Sequence, residues 1–133
     1  IIKMLSKGLR DKESTRIDHC LKQLHSLVLP PLDWNLDRRA ALEGELKDFA
    51  MDLESLNDFS PEDLILHLQR LHFDWNQMES FADFLIALSA ASPFSFSEKV
   101  LAVYRFIQKE SKVFSFGINA KIAALTDINN NTK

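Results

Sequence analysis

The stretch from Phe73 to Ala91, FDWNQMESFADFLIALSAA, constrains the fold most, because it combines a long apolar run with a helix-start signal at its front. Two apolar stripes with helical spacing run along it side by side. The first stripe contains Trp75, Met78, Ala82, Leu85 and Ser89, and the second contains Phe81, Phe84, Leu88 and Ala91. A helix that is apolar around more than half of its circumference needs neighbours on several sides. We therefore expect this segment to be the central helix of a packed domain.

Composition supports a single helical domain. The chain has 133 residues, 46% of them apolar, with only three Gly and four Pro, which is typical of a globular, helix-rich protein. Ten Phe against one Tyr indicate that aromatic side chains fill a core. We predict one helical domain over residues 1–125. Residues 126–133 contain three consecutive Asn and have nothing to bury, so we predict a frayed tail.

Charge and cysteine content argue against several classes of function. A formal net charge of −3 and a pI of about 5.8 do not provide the positive surface that nucleic-acid binding requires. No apolar run is long enough to span a membrane, and the start IIKMLSKGLR is too short and too charged for a signal peptide. The single cysteine, Cys20, cannot form an internal disulfide and is expected to be a small buried side chain. We expect a cytoplasmic protein that binds neither nucleic acid nor membranes.

The N-terminal part of the chain predicts two helices. Apolar positions from Ile17 to Val28 have clear helical spacing. A polar stretch near residues 11–14 suggests a tight connection to a short first helix, although one bent helix is an alternative. Pro30 and Pro31 are predicted to end this segment.

A regular apolar seam follows. Its residues are spaced alternately four and three apart, and they are Leu42, Leu46, Phe49, Leu53 and Leu56. This spacing predicts one long amphipathic helix from Leu36, which could pack within a bundle or pair with a second copy as a coiled coil. The opposite face carries a stripe of carboxylates, namely Asp37, Glu45, Asp48 and Asp52. Because no histidine lies on this helix, we interpret the stripe as a solvated face and not as a metal site.

Three Phe-Ser pairs are predicted to mark helix starts. Ser60 has the features of an N-cap, and Pro61 suits the first position of the helix that follows. Ser97 and Ser115 repeat the pattern before two later helices, of which the last is expected to end near Leu125.

The tripeptide Asp-Trp-Asn occurs at residues 33–35 and again at residues 74–76, each time before a long helix. We expect each Asp to cap its helix and each Trp to pack back on the preceding helix. A separation of about 40 residues is typical of helical repeats.

The stretch SEKVLAVYRFIQKESKVFSF resembles the second helix and the following turn of a tetratricopeptide-like hairpin, with Tyr104 at the family's aromatic position. The resemblance covers only the C-terminal part of the chain. It departs from the family at Val100 and Ile107, where the family has small residues, and at Leu88, where it has glycine. The resemblance implies antiparallel helical hairpins, and it carries over no functional residues because the family's motif is structural.

The sequence contains no catalytic, cofactor or metal signature. No histidine is three or four residues from another, and nucleophile and phosphate-loop motifs are missing. Asp63 and His67 have helical spacing, and we interpret them as a structural pair. The cluster of Trp34, Arg38 and Arg39 is the candidate for partner binding, because Trp and Arg are enriched in interface hot spots. The alternative is that Trp34 packs inward at a solvated helix start.

These features predict an all-α protein with six or seven helices in antiparallel hairpins, forming a compact bundle or a short tetratricopeptide-like stack. The expected function is a non-catalytic protein-interaction or scaffold module that binds a protein partner and needs no cofactor. A small apolar-ligand binder is the alternative, because the Phe residues could line a cavity. An enzyme is less favoured, and the sequence leaves a homodimer open.

Overall fold

The computed structural model describes residues 2–28, 34–112 and 115–131, and the side chains of residues 11–28, 34–112 and 115–126. This part of the chain is all-helical, as the sequence predicted. It contains seven α-helices and one 3-10 turn, which are α1 (Ile2–Leu27), α2 (Leu36–Leu46), the 3-10 turn (Lys47–Phe49), α3 (Leu53–Asp58), α4 (Pro61–Arg70), α5 (Trp75–Ala91), α6 (Ser97–Glu110) and α7 (Phe116–Asn131). None of the described helices is long and apolar enough to cross a membrane.

Helix α5 lies at the centre of the fold, as its apolar pattern predicted. It packs against both α1 and α6, while α4 and α7 each pack on α6. Its buried residues are Gln77, Met78, Phe81, Ala82, Phe84, Leu85 and Leu88. The ring of Phe81 lies 6.3 Å from Phe49, 6.2 Å from Phe73 and 5.8 Å from Phe84. These aromatic side chains therefore fill the core.

The N-terminal segment is one continuous helix, so the prediction of two helices is wrong. Helix α1 runs from Ile2 to Leu27, and the polar stretch near residues 11–14 is part of it. That stretch contains no Gly or Pro, so nothing in it interrupts the backbone hydrogen bonds. The predicted end at Pro30 and Pro31 lies outside the described residues.

The prediction of one long helix from Leu36 is also wrong, because the helix ends at Leu46. Ala50 has left-handed backbone geometry with φ of 54°. Asp52 then starts α3 with a capping box, in which Asp52 Oδ1 accepts from the Ser55 N–H (2.7 Å) and Ser55 Oγ accepts from the Asp52 N–H (3.0 Å). All five residues of the seam are nevertheless fully buried. The seam therefore packs within the chain and is not exposed for a coiled coil with a second copy.

The three Phe-Ser pairs have different structures. Ser60 caps α4 as predicted, because its Oγ accepts a backbone N–H of the first turn (3.1 Å). Ser115 does the same for α7 (3.2 Å). At the second pair, Phe96 occupies the N-cap position and Ser97 is already the first residue of α6, with no side-chain cap hydrogen bond. The predicted cap at Ser97 is therefore wrong.

Helix α7 is longer than predicted. It continues to Asn131 and thus passes Leu125, where the sequence predicted its end. Ile118 and Leu125 are buried, which attaches the helix to the core. Phe114 and the side chains of residues 127–133 lie outside the described part of the chain.

We expect Ser60→Ala to lower the free energy of unfolding by about 1 kcal/mol, because the change leaves a first-turn amide of α4 without its acceptor. Ser97→Ala is the matched control. It removes no cap hydrogen bond, so the change should stay below about 0.5 kcal/mol. Urea denaturation of both variants and the wild type measures the difference. Equal losses at the two serines would contradict this assignment of the caps.

Candidate functional site

The predicted partner-binding residues lie at the start of α2, where two of them contact the same aromatic ring. Trp34 packs edge-to-face against Phe94 in the connection between α5 and α6, with ring centroids 6.3 Å apart. The Arg39 guanidinium lies 5.9 Å from the centre of the same ring and 3.7 Å from Glu43. Trp34 is half-buried and Arg39 is exposed.

Arg38, the third predicted residue, has a different role. Its Nη1 donates to the carbonyl of Leu27 (2.6 Å), the last residue of α1. Its Nε is buried and has no hydrogen-bond partner among the described residues. Arg38 thus supplies a donor for a helix carbonyl that has no partner within its own helix. The structure brings Trp34 and Arg39 together around Phe94 and uses Arg38 to join α1 to α2, so partner binding by these three residues stays a prediction.

A second candidate surface lies at the start of α5, where three clefts meet. Asp74 lines all three, and Trp75 lines two of them. The carboxylate cleft, of about 530 Å³, also has Asp11 and Glu13 in its wall. The isoleucine groove, of about 460 Å³, includes Glu79, Ile107 and Ile118. We call these two clefts, with Trp75 at their boundary, the Trp75 surface.

The third cleft, also of about 460 Å³, lies beside α1 and includes Asp18 and Lys22. Across all three clefts the described lining residues include five carboxylates, which are Asp11, Glu13, Asp18, Asp74 and Glu79. Lys22 is the only lysine or arginine among these lining residues. Among the described residues, the clefts at the start of α5 are therefore lined by more negative than positive charge.

The local structure explains why Trp75 is exposed. Asp74 caps α5 as predicted, since its Oδ1 accepts from the Gln77 N–H (2.7 Å). Trp75 is consequently the first helical residue and comes before the buried stripe that begins at Gln77. Its ring contacts Phe106 of α6 (6.0 Å) and is 40% exposed. The expectation that this Trp packs back on the preceding helix is wrong.

The first Asp-Trp-Asn copy differs from the second. Asn35 is the N-cap of α2, and its Oδ1 accepts from the Arg38 N–H (2.8 Å). Trp34 therefore lies before the cap, whereas Trp75 follows its cap. Asp33, the predicted cap, lies outside the described residues. The two copies are not structurally equivalent.

Buried hydrogen bonds of Gln77 hold the start of α5, and with it the Trp75 surface, against α1. Its side chain is 3% exposed, and Nε2 donates to Ser14 Oγ and Asp18 Oδ1 (both 2.9 Å) on α1. Its Oε1 accepts from the Asp74 N–H (2.9 Å). These bonds satisfy a buried amide and fix the start of α5 against α1.

A polar cluster joins α5, α6 and α7 beside the isoleucine groove. Tyr104 donates to Asp83 (2.5 Å), and Lys121 donates to Glu79 (2.5 Å) and Asp83 (3.0 Å). Burial, and then the hydrogen bond to Asp83, raise the pKa of Tyr104. Burial alone would lower the pKa of Lys121, but its bonds to Glu79 and Asp83 outweigh that effect and raise it. Tyr104 is therefore a neutral donor and Lys121 a cation.

Among the described side chains, Cys20, Glu45 and Asp48 lie close enough together to reach one metal ion, with their donor atoms within 4.8 Å. Cys20 is buried, as predicted. Burial and the two carboxylates raise the pKa of the Cys20 thiol to about 12. The thiol donates to the Glu45 carbonyl (3.3 Å). Since metals bind the thiolate, this arrangement suits a protonated, hydrogen-bonded thiol better than a metal ligand.

The remaining candidate residues from the sequence, a histidine and several phenylalanines, make contacts within the fold. His67 donates from Nε2 to the carbonyl of Phe49 (2.7 Å) and lies 5.2 Å from the ring of Phe59. Phe81 and Phe84 are fully buried, and none of the three clefts has Phe81, Phe84 or Phe106 in its wall. That arrangement does not favour the apolar-ligand alternative.

Reasoning from sequence missed the Trp75 surface because its walls come from helices far apart in the chain. One signal was available: a large aromatic residue directly after an N-cap lies in the first, most exposed turn of a helix. Comparison with known proteins adds no family or fold relationship, because no protein-family model, curated protein or solved structure matches the chain.

Proposed function

We propose that the protein is a non-catalytic interaction module that binds a segment of a protein partner at the Trp75 surface. The observation that carries this proposal is Trp75, which is 40% exposed at the boundary between two open clefts. Trp is among the residues most enriched in binding hot spots, because it buries a large rigid area at low entropic cost. The bonds of Gln77 support the proposal, since they hold Trp75 on a fixed backbone.

The shifted titratable groups also support a non-catalytic role. A catalytic acid or base must reach the substrate proton and exchange its own proton near the working pH. Cys20 and Tyr104 are buried, and both pKa values are raised away from neutrality. Lys121 links α7 to two carboxylates of α5. These groups connect helices to one another. A cytoplasmic setting agrees with the free thiol of Cys20.

Selection from a random phage-displayed peptide library on the whole chain tests this function. We expect enriched peptides whose binding shifts the backbone amide resonances around residues 74–79. Trp75→Ala should weaken the Kd of these peptides about 30-fold, because truncating a hot-spot aromatic costs about 2 kcal/mol or more.

Leu36→Ala is the control, because Leu36 is 82% exposed and also begins a helix, but on α2. Its Kd should stay within about twofold of the wild type. Circular dichroism of both variants checks that the helices are intact. Peptides that bind equally well to Trp75→Ala, or a selection that enriches none, would refute the proposal.

A further inference from the structure

We propose that the partner segment is basic with an apolar anchor: one apolar side chain enters the isoleucine groove, and a neighbouring Lys or Arg enters the carboxylate cleft. This inference rests on the proposed function, and it adds the chemistry of the occupant.

The apolar part of the site is the groove between α5, α6 and α7. Ile107 and Ile118 each keep 3% of their surface exposed at its base, and Trp75 forms one wall. An aliphatic or aromatic side chain placed there would remove the indole face from water. Burial of about 100 Å² of apolar surface would then contribute about 2.5 kcal/mol before the entropy cost of binding.

The negative charge of the carboxylate cleft favours a cationic residue in the other part of the partner segment. Asp11, Glu13 and Asp74 line it, and none of the described side chains forms an ion pair with any of them. His72 is the only base among its described lining residues, and it is exposed. A lysine or arginine side chain in this cleft would meet carboxylates that no described side chain pairs with.

The boundary between the clefts favours the same cation. Trp75 lines both clefts, so a segment that crosses it brings its charged residue close to the indole. A Lys or Arg over a Trp ring gains a cation–π attraction in addition to the ion pair. On the groove side, Glu79 and Asp83 share the single charge of Lys121, which leaves that cluster with a net negative charge.

Charge also argues against a second copy as the occupant. The chain has a formal net charge of −3, and two Trp75 surfaces facing each other would bring their carboxylates together. The same argument disfavours a phosphate-rich partner or an anionic membrane.

The test uses the peptides selected on the whole chain, resynthesised and titrated against two double variants. Asp11→Asn with Glu13→Gln removes two charges from the carboxylate cleft. Asp58→Asn with Glu62→Gln removes two exposed charges from α3 and α4, outside the clefts, and is the matched control. We expect the first pair to weaken binding about tenfold and the control pair by less than about twofold. Affinity should also fall as added salt approaches about 1 M, where the Debye length is about 3 Å.

The outcomes separate the two proposals. Selected peptides rich in Lys or Arg, with the tenfold loss confined to the cleft variant, support the inference. Peptides that need Trp75 but show no excess of Lys or Arg, and that bind both double variants equally, overturn the inference and leave the proposed function standing. Peptides that do not need Trp75 overturn both. A concentration-dependent dimer that Trp75→Ala abolishes would make a second copy the occupant and would also overturn the inference.

Discussion

Phe81→Ala should lower the free energy of unfolding by about 3 to 5 kcal/mol, which is the usual cost of removing a fully buried aromatic ring. Phe81 has no exposed surface, and its ring contacts Phe49, Phe73 and Phe84. The cavity would therefore open between α5, the 3-10 turn and the connection before α5. Domains of this size have a total stability of about 5 to 15 kcal/mol. The variant should consequently be only marginally stable.

Thermal and urea unfolding followed by circular dichroism measure this loss. We expect Tm to fall by more than about 10 °C. Leu36→Ala, at a position that is 82% exposed, should change stability by less than about 0.5 kcal/mol. A loss below about 1 kcal/mol at Phe81 would mean that the surrounding rings can close the cavity, contrary to the packing described above.

Raising the pH above 9 should unfold the protein progressively, and Tyr104 should ionise only as the helices are lost. The pKa of the Cys20 thiol rises from 9.0 to about 12 on folding, and the pKa of Tyr104 rises above its ordinary value of 10.0. Above the unfolded pKa, the unfolded chain releases the proton while the folded chain keeps it. Each such group then costs about 1.4 kcal/mol of stability per pH unit, until the folded pKa is reached.

Both groups therefore lower the free energy of unfolding as the pH rises. Their contributions are fully present below pH 9 and are lost as the pH rises, with Cys20 acting first and Tyr104 from about pH 10. For Cys20 the total is at most about 4 kcal/mol. The raised pKa of Lys121 acts in the same direction at higher pH.

Near-ultraviolet absorbance measures the ionisation of Tyr104 directly, because the chain contains one Tyr. The tyrosinate band should appear together with the loss of the helical circular dichroism signal. In Cys20→Ala the loss of stability should begin at about pH 10 instead of about pH 9. The difference from the wild type measures the contribution of the thiol. A tyrosinate band that appears near pH 10 while the helices persist would show that water reaches the phenol, and it would contradict the assignment.

Local signals allowed part of the fold to be predicted. Ser60 and Asp74 begin helices where the sequence placed them, since an N-cap depends on the few residues that follow it. The apolar residues of the two α5 stripes are also buried as predicted from Met78 to Leu88, whereas Trp75 at the start of the first stripe is 40% exposed. Ser97 shows the limit of such signals. Like Ser60, it follows a Phe. However, α6 begins one residue earlier than predicted, so Ser97 makes no cap hydrogen bond.

The apolar period misled the prediction for residues 36–56. The seam keeps its spacing through Ala50, although the backbone there turns left-handed and α2 gives way to α3. A burial pattern records which residues face the core and does not record whether the helix between them is continuous. The Asp52 and Ser55 capping box was the available evidence for the break.

Tertiary packing hid the candidate site. The walls of the carboxylate cleft come from α1 and from residues 69–78, which run from the end of α4 into α5 and are more than 50 residues away in sequence. No periodicity or motif joins Asp11 to Trp75. By contrast, the predicted cluster of Trp34, Arg38 and Arg39 was visible because its members are neighbours in sequence. The contacts described for them are with Phe94, Leu27 and Glu43.

The different exposure of the two tryptophans gives the protein separate fluorescent reporters. The chain contains two Trp, of which Trp34 packs against Phe94 and Trp75 is 40% exposed at the clefts. Emission from Trp34 will shift mainly when α2 separates from the connection between α5 and α6. Emission from Trp75 will respond to whatever covers the start of α5. Trp34→Phe leaves Trp75 as a single probe of binding, and Trp75→Phe leaves Trp34 as a single probe of unfolding, so the two events can be followed in separate variants without a label.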